Sequence, residues 1–121
     1  MDKGGYQIRN QGLPHFITFA VTGWIDVFTR KLYRDTILDS LSHCQAKKGL
    51  LVHCWCIMSN HLHLILSARN NDLSKVLGEF KTYTSKQILA SIGANTHESR
   101  KEWMLELFSR AGEANPRNKN Y

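Results

Sequence analysis

The chain has 121 residues, 42% hydrophobic and 21% charged, with a formal net charge of +6. That length supports one domain spanning 1–121 with a single core, and the balance excludes a disordered chain. No apolar run approaches the roughly 18 residues of a membrane-spanning helix. The opening residues, Met-Asp-Lys-Gly-Gly-Tyr, hold no apolar core for a signal peptide, so a cytoplasmic location is expected. The three cysteines, Cys44, Cys54 and Cys56, form no Cys-x-x-Cys and are odd in number, which predicts reduced thiols rather than a disulfide framework. The basic excess suits a polyanion partner, most often nucleic acid, through phosphate neutralisation.

Residues 1–14 are polar and glycine-containing and read as an irregular lead-in, with at most a short edge strand over residues 7–9. Residues 15–21 (His-Phe-Ile-Thr-Phe-Ala-Val) are β-branched and aromatic and predict the first strand. Gly23 ends it, and Trp24, Ile25, Val27 and Phe28 form an apolar connection over a sheet edge. From Thr29, a predicted N-cap, the spacing turns helical through Leu32, Tyr33, Thr36, Ile37, Ser40 and Leu41. Lys47 and Lys48 suit the negative end of that helix, and Gly49 its C-cap.

Residues 50–58 predict the second strand, Ser59-Asn60 a tight turn, and residues 61–67 the third strand. A two-residue turn pairs Met58 with His61 and Cys56 with His63, and turns His53 away with Trp55 and Ile57. A loop longer or shorter by one residue reverses those faces. After a polar linker, Asp72 or Ser74 is expected to cap a second helix with Leu73, Val76, Leu77, Phe80, Thr84 and Ile88 inward, stopped by Gly93. Lys75, Lys81 and Lys86 fall outside that stripe, on sides able to meet DNA phosphates. Residues 99–111 predict a third amphipathic helix through Trp103, Met104, Leu107 and Phe108. The order of elements opens the split βαβ, ferredoxin-like arrangement: an α+β, mainly antiparallel sheet with helices on one face and no convincing fourth strand.

Two histidines two residues apart in a strand share a face, about 7 Å apart along it at roughly 3.3 Å per residue. His61 and His63 therefore present two imidazoles on one side, with Leu62, Leu64 and Leu66 on the other. Two neutral nitrogen ligands on one face begin a metal site, although a lone His-x-His is common in proteins that bind no metal.

The run Cys-Ile-Met-Ser-Asn-His-Leu-His-Leu-Ile-Leu, residues 56–66, resembles the signature of the single-tyrosine HUH transposases of small bacterial insertion sequences. It looks closest to the REP-associated tyrosine transposases. Residues 15–21 resemble the first strand of that family and Phe80-Lys81-Thr82-Tyr83-Thr84 its helix after the histidine strand, so the resemblance covers most of the chain. It implies that His61 and His63, with a polar side chain from a late helix, hold Mg or Mn. That ion orients and polarises a phosphodiester of single-stranded hairpin DNA. A tyrosine hydroxyl attacks, leaving a 5′-phosphotyrosine and a free 3′-hydroxyl. Asn60 shapes the turn rather than binding metal.

The chain departs from the family at the nucleophile. The segment reading like Tyr-Ile-His-x-Asn-Pro-Val is absent from these residues. Tyr83 matches a family position that is aromatic for packing and is a weak candidate, and Tyr6, Tyr33 and Tyr121 lack supporting context. The resemblance implies the N-terminal part of such a domain, without its fourth strand, catalytic helix or third ligand, and inactive alone in strand transfer. Two other readings stand beside it: a zinc-binding module using His61, His63 and Cys56, whose thiolate favours zinc, and a nucleic-acid-binding or dimerisation module without chemistry. Family relatives occur as monomers and dimers, and an unpaired sheet edge favours a homodimer.

Overall fold

The computed structural model describes residues 8–114. The elements run β1 (His15–Ala20), α1 (Lys31–Lys47), β2 (Leu50–Ile57), β3 (His61–Ala68), α2 (Leu73–Ala94) and α3 (Lys101–Ala114), with two short 3-10 turns, Thr22–Trp24 and Val27–Thr29, after β1. The sheet order is β1-β3-β2, with β3 antiparallel to both neighbours. This is the ferredoxin-like α+β arrangement through its second helix; among the described residues no fourth strand joins it.

Alternation on β3 decides how the layers stack. Leu62, Leu64 and Leu66 are at most 1% exposed, whereas His61, His63 and Ile65 remain half-buried. The leucine face joins Ile17 and Phe19 of β1, Tyr33, Ile37, Leu41 and Cys44 of α1, and Val76, Leu77 and Phe80 of α2 in one core. Phe19 and Phe80 meet with ring centroids 5.7 Å apart. Each leucine removed from water contributes roughly 1.5–3 kcal/mol, so the sheet cannot slip by one residue without exposing the whole set. Helices cover that face, and the histidine face stays open.

Backbone geometry at the joints follows local chemistry. Gly49 has φ +74°, the left-handed residue that ends α1, and its carbonyl accepts from Arg69 N–H at 2.8 Å, aligning the start of β2 with the end of β3. Between β2 and β3, Met58 N–H donates to His61 O at 2.8 Å, and Cys56 pairs with His63. The two-residue turn and its register are as expected.

Several local expectations are corrected. Arg30, not Thr29, occupies the N-cap position of α1, and the Thr29 hydroxyl donates to Asp26 O instead. Leu32 is 48% exposed rather than part of the inward stripe. Gly93 does not stop α2, which runs on to Ala94, where the C-cap Asn95 N–H still donates to Ser91 O and Ile92 O. Asp72 holds the N-cap position of α2 without a capping bond; Gln11, from the lead-in, accepts from Ser74 N–H at 2.7 Å and donates to its hydroxyl at 3.0 Å. α3 is shifted to Lys101–Ala114. His53 is the extra residue of a β-bulge between Val52 and Cys54, and its Nε2 lies 2.7 Å from Ser67 Oγ. Ile8 and Arg9 form no strand, and Gln7 lies outside the described residues.

Candidate functional site

β3 is central, so both neighbours bring side chains to its open face. Thr18 of β1 and Cys56 of β2 stand opposite His63, and Ala20 opposite His61. The two imidazoles meet with centroids 4.6 Å apart and planes at 79°. Each commits Nδ1 to a neighbour: His63 to Thr18 Oγ1 at 3.1 Å, His61 to Asn60 Oδ1 at 2.7 Å. Asn60 Nδ2 donates to Trp24 O at 3.3 Å, which orients the amide with its oxygen toward the ring. An amide oxygen only accepts, so His61 carries its proton on Nδ1 and its lone pair on Nε2. One nitrogen engaged and the other free to coordinate is how ligating histidines are usually held.

Two neighbouring imidazoles, each with Nε2 left over, suit part of a divalent metal's coordination shell. The described residues do not add a third donor, since among them no three His, Cys, Asp or Glu side chains converge. Cys56 is exposed and its thiol approaches Met58 Sδ at 3.6 Å. Cys44 is buried, and that burial raises its pKa, leaving Cys54 and Cys56 as the solvent-facing thiols.

The other sequence-derived candidates lie elsewhere. Lys75 and Lys86 are exposed and Lys81 half-buried, all on α2. Because α2 packs on the leucine face, these lysines and the histidine pair occupy opposite sides of the sheet. Tyr83 is also on α2, its ring stacked on His43 of α1 at 4.1 Å and 3°. Tyr33 is fully buried and donates to Glu98 Oε1 at 2.9 Å. Tyr6 and Tyr121 lie outside the described residues. Among the described residues, then, no tyrosine hydroxyl stands beside the histidines.

Sequence reasoning missed two groups. The first is the frame around the histidines: Phe16 stacks on His63 (5.5 Å, 23°), and Trp24 meets His61 edge-on (6.4 Å, 74°). Strand alternation from Thr18 could have placed Phe16 on this face; nothing local could have placed Trp24. The second is a buried clasp. Glu98, 5% exposed, receives Arg30 at 2.8 and 3.1 Å, Arg100 through its backbone N–H and its guanidinium, and the Tyr33 hydroxyl. Burial alone would raise the Glu98 pKa, but the bonds from Arg100, Arg30 and Tyr33 outweigh it and hold the carboxyl at about 2. Arg100 also reaches Asp26 at 2.8 Å, so the clasp ties the start of α3 to α1 and to the turn after β1.

The fold and the histidines define an α+β domain of ferredoxin-like topology with His-x-His on the central strand of a sheet left open on that side. The family model described as Transposase IS200 like matches residues 14–113, and the chain belongs to that family. It is thus transposase-like, with DNA as its partner. No curated protein matches the chain. Among the described residues no helix is long and apolar enough to cross a membrane.

Proposed function

We propose that this chain carries the metal- and DNA-binding part of an IS200-like transposase acting on single-stranded hairpin DNA. The observation behind this reading is the pair of imidazoles whose Nδ1 atoms are committed to Thr18 and Asn60, so that both Nε2 atoms remain to coordinate. His61 and His63 would hold Mg or Mn; when bound, such an ion supplies Lewis-acid polarisation and orientation of a phosphodiester. Asn60 holds His61 in the required tautomer, and Thr18 and Asn60 together fix the direction of the two rings. The leucines behind them anchor β3, so the ligands sit on a rigid strand rather than a loop. Lys75, Lys81 and Lys86 would bind DNA phosphates away from this centre, on the helix side. Neither described tyrosine is the nucleophile in this reading: Tyr33 is sealed in the Glu98 clasp, and Tyr83 lies across the sheet. In this reading the described residues bind DNA and metal without supplying the nucleophile.

Two measurements test this. Mn titration followed by electron paramagnetic resonance should show one site in the parent, lost in His61→Ala and His63→Ala; equal binding by all three would refute the assignment. Incubation with labelled hairpin single-stranded DNA and Mn should give no protein–DNA adduct, and a covalent band would overturn the claim that the nucleophile lies elsewhere.

A further inference from the structure

Phe16 and Trp24 extend the histidine pair into a row of four rings, Phe16–His63–His61–Trp24, along the open face. Their centroid separations are 5.5, 4.6 and 6.4 Å. The outer rings are among the most exposed apolar side chains described, Phe16 at 62% and Trp24 at 66%. Trp24 also holds φ +57°, directly after Gly23 at +71°, a conformation disfavoured for a bulky residue. The fold maintains it by the bond from Asn60 Nδ2 to Trp24 O, and the same Asn60 orients His61. A strained turn is thus tied to the histidine pair and leaves a large ring in solvent beside it.

None of the three strands contains an aspartate or glutamate, so nothing on the sheet's open pleat repels an anion, and the chain as a whole is at +6. Exposed aromatic rings on a carboxylate-free sheet face match the chemistry of unpaired nucleobases on a phosphate chain: every base has a π-face, and in a duplex those faces are occupied by neighbouring bases.

We infer that Phe16 and Trp24 are base-stacking residues that position single-stranded DNA, each taking one nucleobase, with the intervening phosphate backbone over His61 and His63. This rests on the DNA reading of the histidine site, but stacking itself needs no metal.

The test is fluorescence anisotropy of labelled dT12 and of an abasic oligomer of equal length, in EDTA, with the full chain. The parent should bind dT12 at least about tenfold more tightly than the abasic strand. Phe16→Leu and Trp24→Leu should each remove about tenfold of dT12 affinity while leaving abasic binding unchanged, and Trp24→Phe should recover part of it. Circular dichroism melts that match the parent exclude unfolding. If dT12 and the abasic strand bind alike, or the leucine variants bind dT12 as the parent does, stacking is wrong while the metal reading stands. Aromatic-dependent binding in EDTA with no Mn site leaves stacking intact and removes the metal. If neither strand binds in EDTA, stacking falls and the Mn titration alone decides the metal reading. If the substitutions convert a dimer to a monomer and leave dT12 binding unchanged, the face is an interface between copies and the inference is overturned.

Discussion

The two faces of the sheet are built from alternate residues of the same strands, yet they obey different rules. On the helix side, Leu62, Leu64 and Leu66 are sealed against Ile17, Phe19 and Phe80, and every side chain is held by its neighbours. On the other side, His61, His63, Phe16, Cys54 and Cys56 stay wholly or partly in solvent. The first face supplies stability; the second inherits rigid positions from it and carries the groups able to do chemistry. Substitutions should therefore separate by the parity of the residue number along β3 from His61 to Leu66.

The largest contrast is expected between neighbours. Leu64→Ala should destabilise the fold by about 2–5 kcal/mol through lost burial and a residual cavity, whereas Ile65→Ala, one residue on and half-buried, should cost about 1 kcal/mol or less. Urea unfolding of both variants measures the difference, and similar losses would mean the open face is also part of the core.

Next comes the clasp that joins α3 to the helix-covered layer. Glu98→Gln leaves Arg30 and Arg100 without their buried counter-charge and should cost about 3 kcal/mol. The sign with pH follows from the depressed carboxyl: its folded pKa of about 2 lies below the ordinary 4.5, so its contribution is full above about 4.5 and is lost as pH falls toward 2. Chemical denaturation across that range should show the parent losing its advantage over Glu98→Gln; a constant gap would show that the carboxylate is not what stabilises the clasp.

A smaller effect, of opposite sign, is expected on the open side. Trp24→Gly relieves the left-handed backbone at φ +57° and should raise stability by about 1 kcal/mol, while dT12 binding weakens. A loss of stability instead would mean that the indole's contact with His61 outweighs its backbone strain. The smallest effect on stability belongs to the histidines: His63→Ala should change unfolding by about 0.5 kcal/mol or less while abolishing Mn binding. A large loss would make His63 a structural residue.

The strands, the three helices and the common face of His61 and His63 were legible because each depends on short-range periodicity: two residues per pleat, three or four per helical turn. The turn at Ser59-Asn60 was legible for the same reason, and with it the pairing of Cys56 with His63. The helix caps were less so. Thr29 and Asp72 are good capping types, but Thr29 turned to Asp26 and the α2 cap went to Gln11, a residue 63 positions from its partner Ser74. The bulge at His53 also left no local signal, since its cost and its compensating bond to Ser67 exist only once β2 lies against β3.

What the sequence determined by itself, then, was the set of elements, the face each residue of β3 takes and the likeness of its histidine motif to a transposase signature. All of these follow from patterns repeated within a few residues. Only the tertiary structure decided that α2 carries Lys75, Lys81, Lys86 and Tyr83 to the far side of the sheet from the histidines, that Glu98 gathers Arg30, Tyr33 and Arg100, and that Phe16 and Trp24 frame the imidazoles. Those arrangements join residues remote in sequence through charge, hydrogen bonding and ring contact, and such interactions take effect only after the hydrophobic face has brought the elements together.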